Sequence, residues 1–308
     1  MHASVFILSY PSAVGLASGS AGLWQALAQW LALCDQITRA GGTILLLEPP
    51  ADAGAEAPSN IEPWATSRLG SVFVGARADG TTDALFLRSR GGSEPAAAES
   101  EAVRAQLVRF GLRVRDATQR WGGQAELVGL PRNRFIVSYG ARSVEASCDE
   151  VATCLPLGAH TLRVKVTGDS GLNACTYLQS VGGNNVLLID QRVMPDVTLA
   201  NFAAFAGDKV QVIGVGAEDA AAGATQMLCV HGTVLVPPGI STTLRGHLWR
   251  TGFQVVECDL SALGGPAVGL GPRAFVIAWP QCLLDDTLPT YATRRAELYR
   301  CLESLPAA

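Results

Sequence analysis

The stretch from Ala224 to Trp279, ATQMLCVHGTVLVPPGISTTLRGHLWRTGFQVVECDLSALGGPAVGLGPRAFVIAW, decides how the chain folds. Its apolar runs predict a strand over 226–230, a tight turn at His231-Gly232 and a second strand over 233–236. Pro237-Pro238-Gly239 then leads into a helix over 242–251, which Gly252 stops. Strands follow over 253–257 and, beyond a glycine-rich loop, over 274–279. A doubly wound sheet would alternate strand and helix singly. Here two strands come before one helix, so that architecture is disfavoured.

Working outward, the same order returns. Strands at 4–9 and 43–47 flank a helix at about 21–39, which stops at Gly41-Gly42. Strands at 71–75 and 82–88 surround Asp79-Gly80, a hairpin signal. Residues 51–59 and 91–98 read as loops, and 99–110 as a helix ended by Gly111. Strands at 112–116, 125–128 and 134–138 precede a helix at 144–154. Strands at 161–166, 174–179 and 186–189 follow, the last two joined by Gly182-Gly183-Asn184-Asn185. A helix at about 198–205, a strand at 209–215 and a final helix at 291–302 complete the reading. The order of elements repeats every ~50–60 residues, although the residues themselves do not.

Bulk properties narrow the class. With 308 residues, 48% hydrophobic and 16% charged, the chain is a packed globular protein. A net charge of −4 without a basic patch gives no footprint for nucleic acid or an anionic membrane. The eight cysteines are scattered, with neither a CxxC pair nor a Cys/His cluster. No metal site is therefore expected, and the thiols are expected to be free and buried in a reducing cytoplasm. The first ten residues lack the basic start and cleavage site of a signal peptide. Residues 21–38 are apolar, but Gln25, Gln29, Asp35 and Gln36 interrupt them. Leu23, Leu27, Trp30, Leu31 and Cys34 keep helical spacing, as in a buried amphipathic helix rather than a membrane span. Val210–Gly216 begins like a dinucleotide fingerprint but lacks the third glycine, and Glu218-Asp219 would repel a pyrophosphate. No cofactor is expected.

Three further segments carry a resemblance. Trp121-Gly122-Gly123-Gln124-Ala125-Glu126 is followed by Arg134–Gly140 and Ala141-Arg142-Ser143; Asn173-Ala174-Cys175-Thr176 opens a strand; Gly271-Pro272-Arg273-Ala274 opens the last one. Together with the element order, these resemble the pentein superfamily of guanidino-modifying enzymes. That group includes arginine deiminases, dimethylarginine dimethylaminohydrolases and amidinotransferases. The resemblance implies an α/β propeller of about five ββαβ modules around a central channel, in one domain over residues 1–308. It also implies a channel-lining carboxylate after the glycine pair, a carboxylate-binding arginine, a histidine base and a cysteine nucleophile. Arg142 matches the arginine. The acidic position holds Gln124 in a gapless alignment, or Glu126 if the loop is longer. Asn173 stands where the histidine is expected, Ala274 stands where the cysteine is expected, and Gly271 opens the nucleophile loop.

Glutamine carries no charge for a guanidinium, asparagine takes no proton at neutral pH, and alanine offers no lone pair. The expectation is therefore a divergent relative that binds an arginine-like or amino-acid-like small molecule without the usual chemistry. It would act as a pseudoenzyme, a regulator or a partner subunit in a homo- or hetero-oligomer. The alternative is an active hydrolase or transferase rebuilt around another thiol. Cys175, two residues from Asn173 on one strand face, and Cys229 are its candidates.

Overall fold

The computed structural model describes residues 3–9, 21–47, 72–76, 82–86, 94–123, 126–140, 142–167, 174–263, 275–279 and 288–305. Five three-stranded sheets follow one another along the chain. Four share one pattern, an antiparallel pair, a helix, and a third strand parallel to the second. They are β3–β4–α2–β5 (Val72–Ala76, Thr82–Phe86, Glu94–Arg109, Arg113–Asp116) and β6–β7–α3–β8 (Leu127–Leu130, Arg134–Gly140, Ala146–Ala152, His160–Val166). Next come β9–β10–α4–β11 (Cys175–Leu178, Asn185–Ile189, Leu199–Ala206, Val210–Gly214) and β12–β13–α6–β14 (Leu228–Val230, Thr233–Val236, Thr242–Arg250, Gln254–Glu257). A short helix α5, Ala217–Ala221, links the last two.

The remaining sheet takes strands from both ends of the chain. β15 (Phe275–Trp279) pairs antiparallel with β1 (Ala3–Ser9), Ile7 facing Phe275 and Ala3 facing Trp279. Across helix α1 (Ala21–Arg39), β1 runs parallel to β2 (Thr43–Leu47). The first strands of the sheets touch in turn, β6 with β9, β9 with β12, and β15 with β3. This is the arrangement of an α/β propeller of ββαβ modules, with the first strands innermost.

Burial explains the layout. Middle strands are covered on both faces and carry near-continuous apolar runs, such as Asn185–Ile189, buried throughout. In four of the sheets the third strands are half exposed, as in Gln254–Glu257, whereas β2 is buried. Helices wedge between neighbouring sheets: α4 places Phe202 among Ile136 and Val164 of one sheet and Leu187 and Ile189 of the next. α6 does likewise with Leu244 and Leu248 between Val186 and Val234. Among the described residues no helix is long and apolar enough to cross a membrane. α1 is a core helix, with Leu27, Leu31 and Ile37 almost wholly buried.

Several boundaries differ from the sequence expectation. α2 begins at Glu94, inside the stretch expected to be loop. A proline is tolerated in a first helical turn and three alanines propagate it well. The strand expected at 226–230 starts at Leu228, because Gly223, in a left-handed conformation, opens a 3-10 turn over Ala224–Gln226. The expected 125–128 strand runs instead over Leu127–Leu130, since the hairpin turns at Arg132 and Asn133, both at positive φ. α5 was not expected at all. Its Asp219 accepts hydrogen bonds from the backbone and hydroxyl of Ser241, the N-cap of α6. The Asp79-Gly80 turn lies outside the described residues.

Candidate functional site

In each antiparallel pair the start of the inner strand lies beside the end of the middle strand, as where Leu127 faces Val137 and Cys175 faces Ile189. Residues just before an inner strand and just after a middle strand therefore gather at one mouth of the channel. Glu126 precedes β6, and Arg142-Ser143 follow β7. Their convergence rests on two glycines. A Cβ on Gly122 would stand 2.7 Å from Glu126 Oε1 and 2.9 Å from Arg142 Cβ, so only glycine lets these side chains meet over the backbone. Gly140 holds φ +146, and a Cβ there would collide with the Val166 carbonyl oxygen of β8. Its N–H donates to the Ser143 carbonyl at 2.8 Å, turning the chain so that Arg142 faces back.

Glu126 is 8% exposed. Its Oε1 lies 3.5 Å from Arg142 Nε, and Arg142 itself keeps about a third of its side chain exposed (32%). Gly122 N–H donates to Ser143 Oγ at 2.7 Å. The main chain of Glu126 is fixed by its own N–H to Gly123 O (3.1 Å) and by Ser138 Oγ on its carbonyl (3.3 Å). Burial pushes the carboxyl up to about 7, against the opposing pull of Arg142, the Gly122 N–H and Arg120. Among the described residues, two buried polar atoms, Glu126 Oε2 and the indole nitrogen of Trp121, meet no hydrogen-bond partner.

Of the positions expected to form the site, Glu126 and Arg142 are brought together. Gln124, Asn173, Gly271 and Ala274 lie outside the described residues. Cys175 does not face the channel: it stands opposite Ile189 and packs in the cluster of Leu187, Ile189 and Phe202. Burial alone pushes its thiol up to about 12, the behaviour of a thiol packed as a small core hydrophobe. Cys229 is partly exposed, donates to the Gln179 carbonyl at 3.4 Å, and is also shifted up, mainly by burial. Among the described residues seven cysteines are free thiols, and no group of His, Cys, Asp and Glu could hold a metal ion.

Sequence reasoning overlooked the end of β10. Asp190, buried, accepts two hydrogen bonds from the Arg192 guanidinium (2.8 and 2.7 Å), and its N–H donates to Ala174 O at the start of β9. This pair stands at its module's counterpart of the Glu126–Arg142 corner. An aspartate directly after a buried strand was the available signal.

No protein-family model matches the sequence, and no curated protein does. Solved structures do. The N-terminal domain of ArgZ, an arginine dihydrolase from the ornithine–ammonia cycle in cyanobacteria, superposes with a TM-score of 0.69 at 16% identity, over 90% of this chain and 99% of that one. The fold is that of the penteins. Unliganded AgrE matches the pentein ring with the same score and identity over 93% of this chain and 40% of its own. The dimethylarginine dimethylaminohydrolase of Pseudomonas aeruginosa, captured with citrulline, gives 0.62 at 18% identity over 90% and 100%. At these identities the likeness establishes the pentein fold and leaves the chemistry to the side chains.

Proposed function

We propose that this chain, a single domain over residues 1–308, binds an arginine-like or other amino-acid-like small molecule at the channel mouth. Arg142 is the ligand for its carboxylate, with Glu126 beside it; the resemblance adds Gln124 and Gly271 as further substrate contacts. The observation that carries this reading is the partly exposed Arg142 3.5 Å from the buried carboxyl of Glu126. A partly exposed guanidinium on a rigid turn suits bidentate capture of a carboxylate.

The positions matching the nucleophile and base hold Ala274 and Asn173, so binding proceeds without thiol chemistry. A variant of AgrE with a cysteine replaced by alanine was captured with L-arginine, a precedent for binding without a cysteine. The protein then serves as a pseudoenzyme, a regulator or a partner subunit, in a cytoplasmic setting. The rebuilt-enzyme reading keeps one observation in its favour: a carboxyl near 7 suits proton transfer at neutral pH. Burial raises both the Cys175 and the Cys229 thiols, which weighs against any version of it that needs them.

Calorimetry with L-arginine, L-citrulline and L-ornithine, beside assays for citrulline and ornithine release, tests both halves. Weak binding that Arg142→Ala abolishes, with release at the no-enzyme background, is expected. Failure of all three to bind overturns the ligand assignment. Turnover well above background that Cys175→Ala leaves intact overturns the non-catalytic reading and turns attention to Glu126.

A further inference from the structure

The Glu126–Arg142 corner contains one guanidinium and already one carboxyl. Glu126 is enclosed by the glycine pair, by Trp121 and Cys148 in the adjoining core, and by the Ser138 and Ser143 turn. Among the described residues, the charged and titratable groups that face it are Arg142 after β7, Arg120 after β5, and the Cys148 thiol of α3. Arg142 keeps about a third of its side chain exposed, whereas Glu126 is almost wholly covered (32% against 8%). A second anion on Arg142 would place two carboxylates around one cation at a covered site, an arrangement in which one of them takes up a proton.

We propose, resting on the assignment of Arg142 as the carboxylate ligand, that an incoming carboxylate displaces Glu126 from Arg142 and that Glu126 is protonated as it does so. Ligand binding is thus an exchange of anions with uptake of a proton from solvent onto Glu126. Covering the mouth removes the remaining water and favours the neutral carboxyl further. Once protonated, Glu126 gains an O–H that donates, and the site selects ligands that bring an anion. An amine or guanidine without a carboxylate leaves the Glu126–Arg142 pair in place and takes up no proton.

The test is calorimetry of the full chain with L-citrulline between pH 6 and pH 8, in buffers of low and high ionisation enthalpy, with agmatine as the probe lacking a carboxylate. Affinity for citrulline should fall about tenfold from pH 6 to pH 8, with uptake of roughly half a proton at pH 7 and nearly one at pH 8. Glu126→Gln should bind citrulline at the wild-type pH 6 strength across the whole range, with no buffer dependence of the enthalpy. Agmatine should show no proton uptake in either protein. Citrulline binding that is flat with pH and independent of buffer in the wild type overturns the exchange while leaving the carboxylate site standing. Absence of citrulline binding at every pH overturns the site itself. The wild-type buffer series decides even if the Gln variant fails to fold.

Discussion

Glu126 is held in a state that works against the fold at high pH. Its carboxyl lies near 7 in the folded chain against the ordinary 4.5, chiefly from burial. The folded state therefore binds more protons than the unfolded state between those values, and stability falls as pH rises through that window. Glu126→Gln should raise stability at pH 8 by on the order of 1–3 kcal/mol and change little at pH 4, read from urea midpoints at the two pH values. A variant no more stable at pH 8 than the wild type would remove the case for a buried, charge-averse carboxyl. Gly122→Ala addresses the same corner by shape. Its Cβ would sit 2.7 Å from Glu126 Oε1 and 2.9 Å from Arg142 Cβ, so the two side chains must part. Overpacking of this kind costs about 1–3 kcal/mol, and the displaced arginine should lower citrulline affinity at least about tenfold. Unchanged affinity in a folded Gly122→Ala protein would mean the ligand binds elsewhere.

Among the elements, the final helix α7 (Tyr291–Ser304) is fixed to α1 by one carboxylate. Asp35 accepts two hydrogen bonds from Arg295 (2.9 and 3.0 Å) and one each from the Tyr291 and Tyr299 hydroxyls, both at 2.8 Å. The Arg295 guanidinium also lies over the Tyr299 ring, 4.7 Å from its centroid. Arg295 leads in drawing the carboxyl down to about 2, with both tyrosines helping. A depressed carboxyl adds stability above its ordinary value of 3.8, and that share is lost as pH falls from there toward 2. Asp35→Asn should cost about 2 kcal/mol at neutral pH, with the difference from wild type shrinking near pH 2. Thermal melts at pH 7 and pH 2.5 measure it, and an equal loss at both would point to packing instead of charge.

For the whole molecule, closure is the decisive event. Four modules are each complete in sequence, but the sheet β15–β1–β2 exists only when the two ends of the chain meet. The core beneath it joins α1 and Tyr291 of α7 to Leu228 and Leu235 of the β12–β13–α6–β14 module. Cutting the chain after residue 274 removes β15 and α7, and with them the partner of β1 and the residues that Asp35 holds. The truncated chain should lose its cooperative thermal transition by circular dichroism, because each module buries its apolar faces only against its neighbours. A sharp two-state melt in that fragment would show that the modules stand without closure.

The sequence by itself determined the module. Paired strands before each helix, glycines at helix ends and the His231-Gly232 turn are local signals, and each found its element within a few residues. Arg142 is singled out by the resemblance of Gly140-Ala141-Arg142-Ser143 to a pentein turn, and the structure sets it beside Glu126. Only the tertiary structure decided what those side chains face. Asp35 is a polar interruption in the sequence of a core helix, and becomes an anchor because Tyr291, Arg295 and Tyr299 arrive from more than 250 residues away. The choice of Glu126 as the carboxyl that meets Arg142 depends on a contact over Gly122 that no spacing rule encodes. Cys175 shows the limit most plainly: alternation along a strand gives which residues share a face, while which face looks into the channel is set by the neighbouring sheet and by α4.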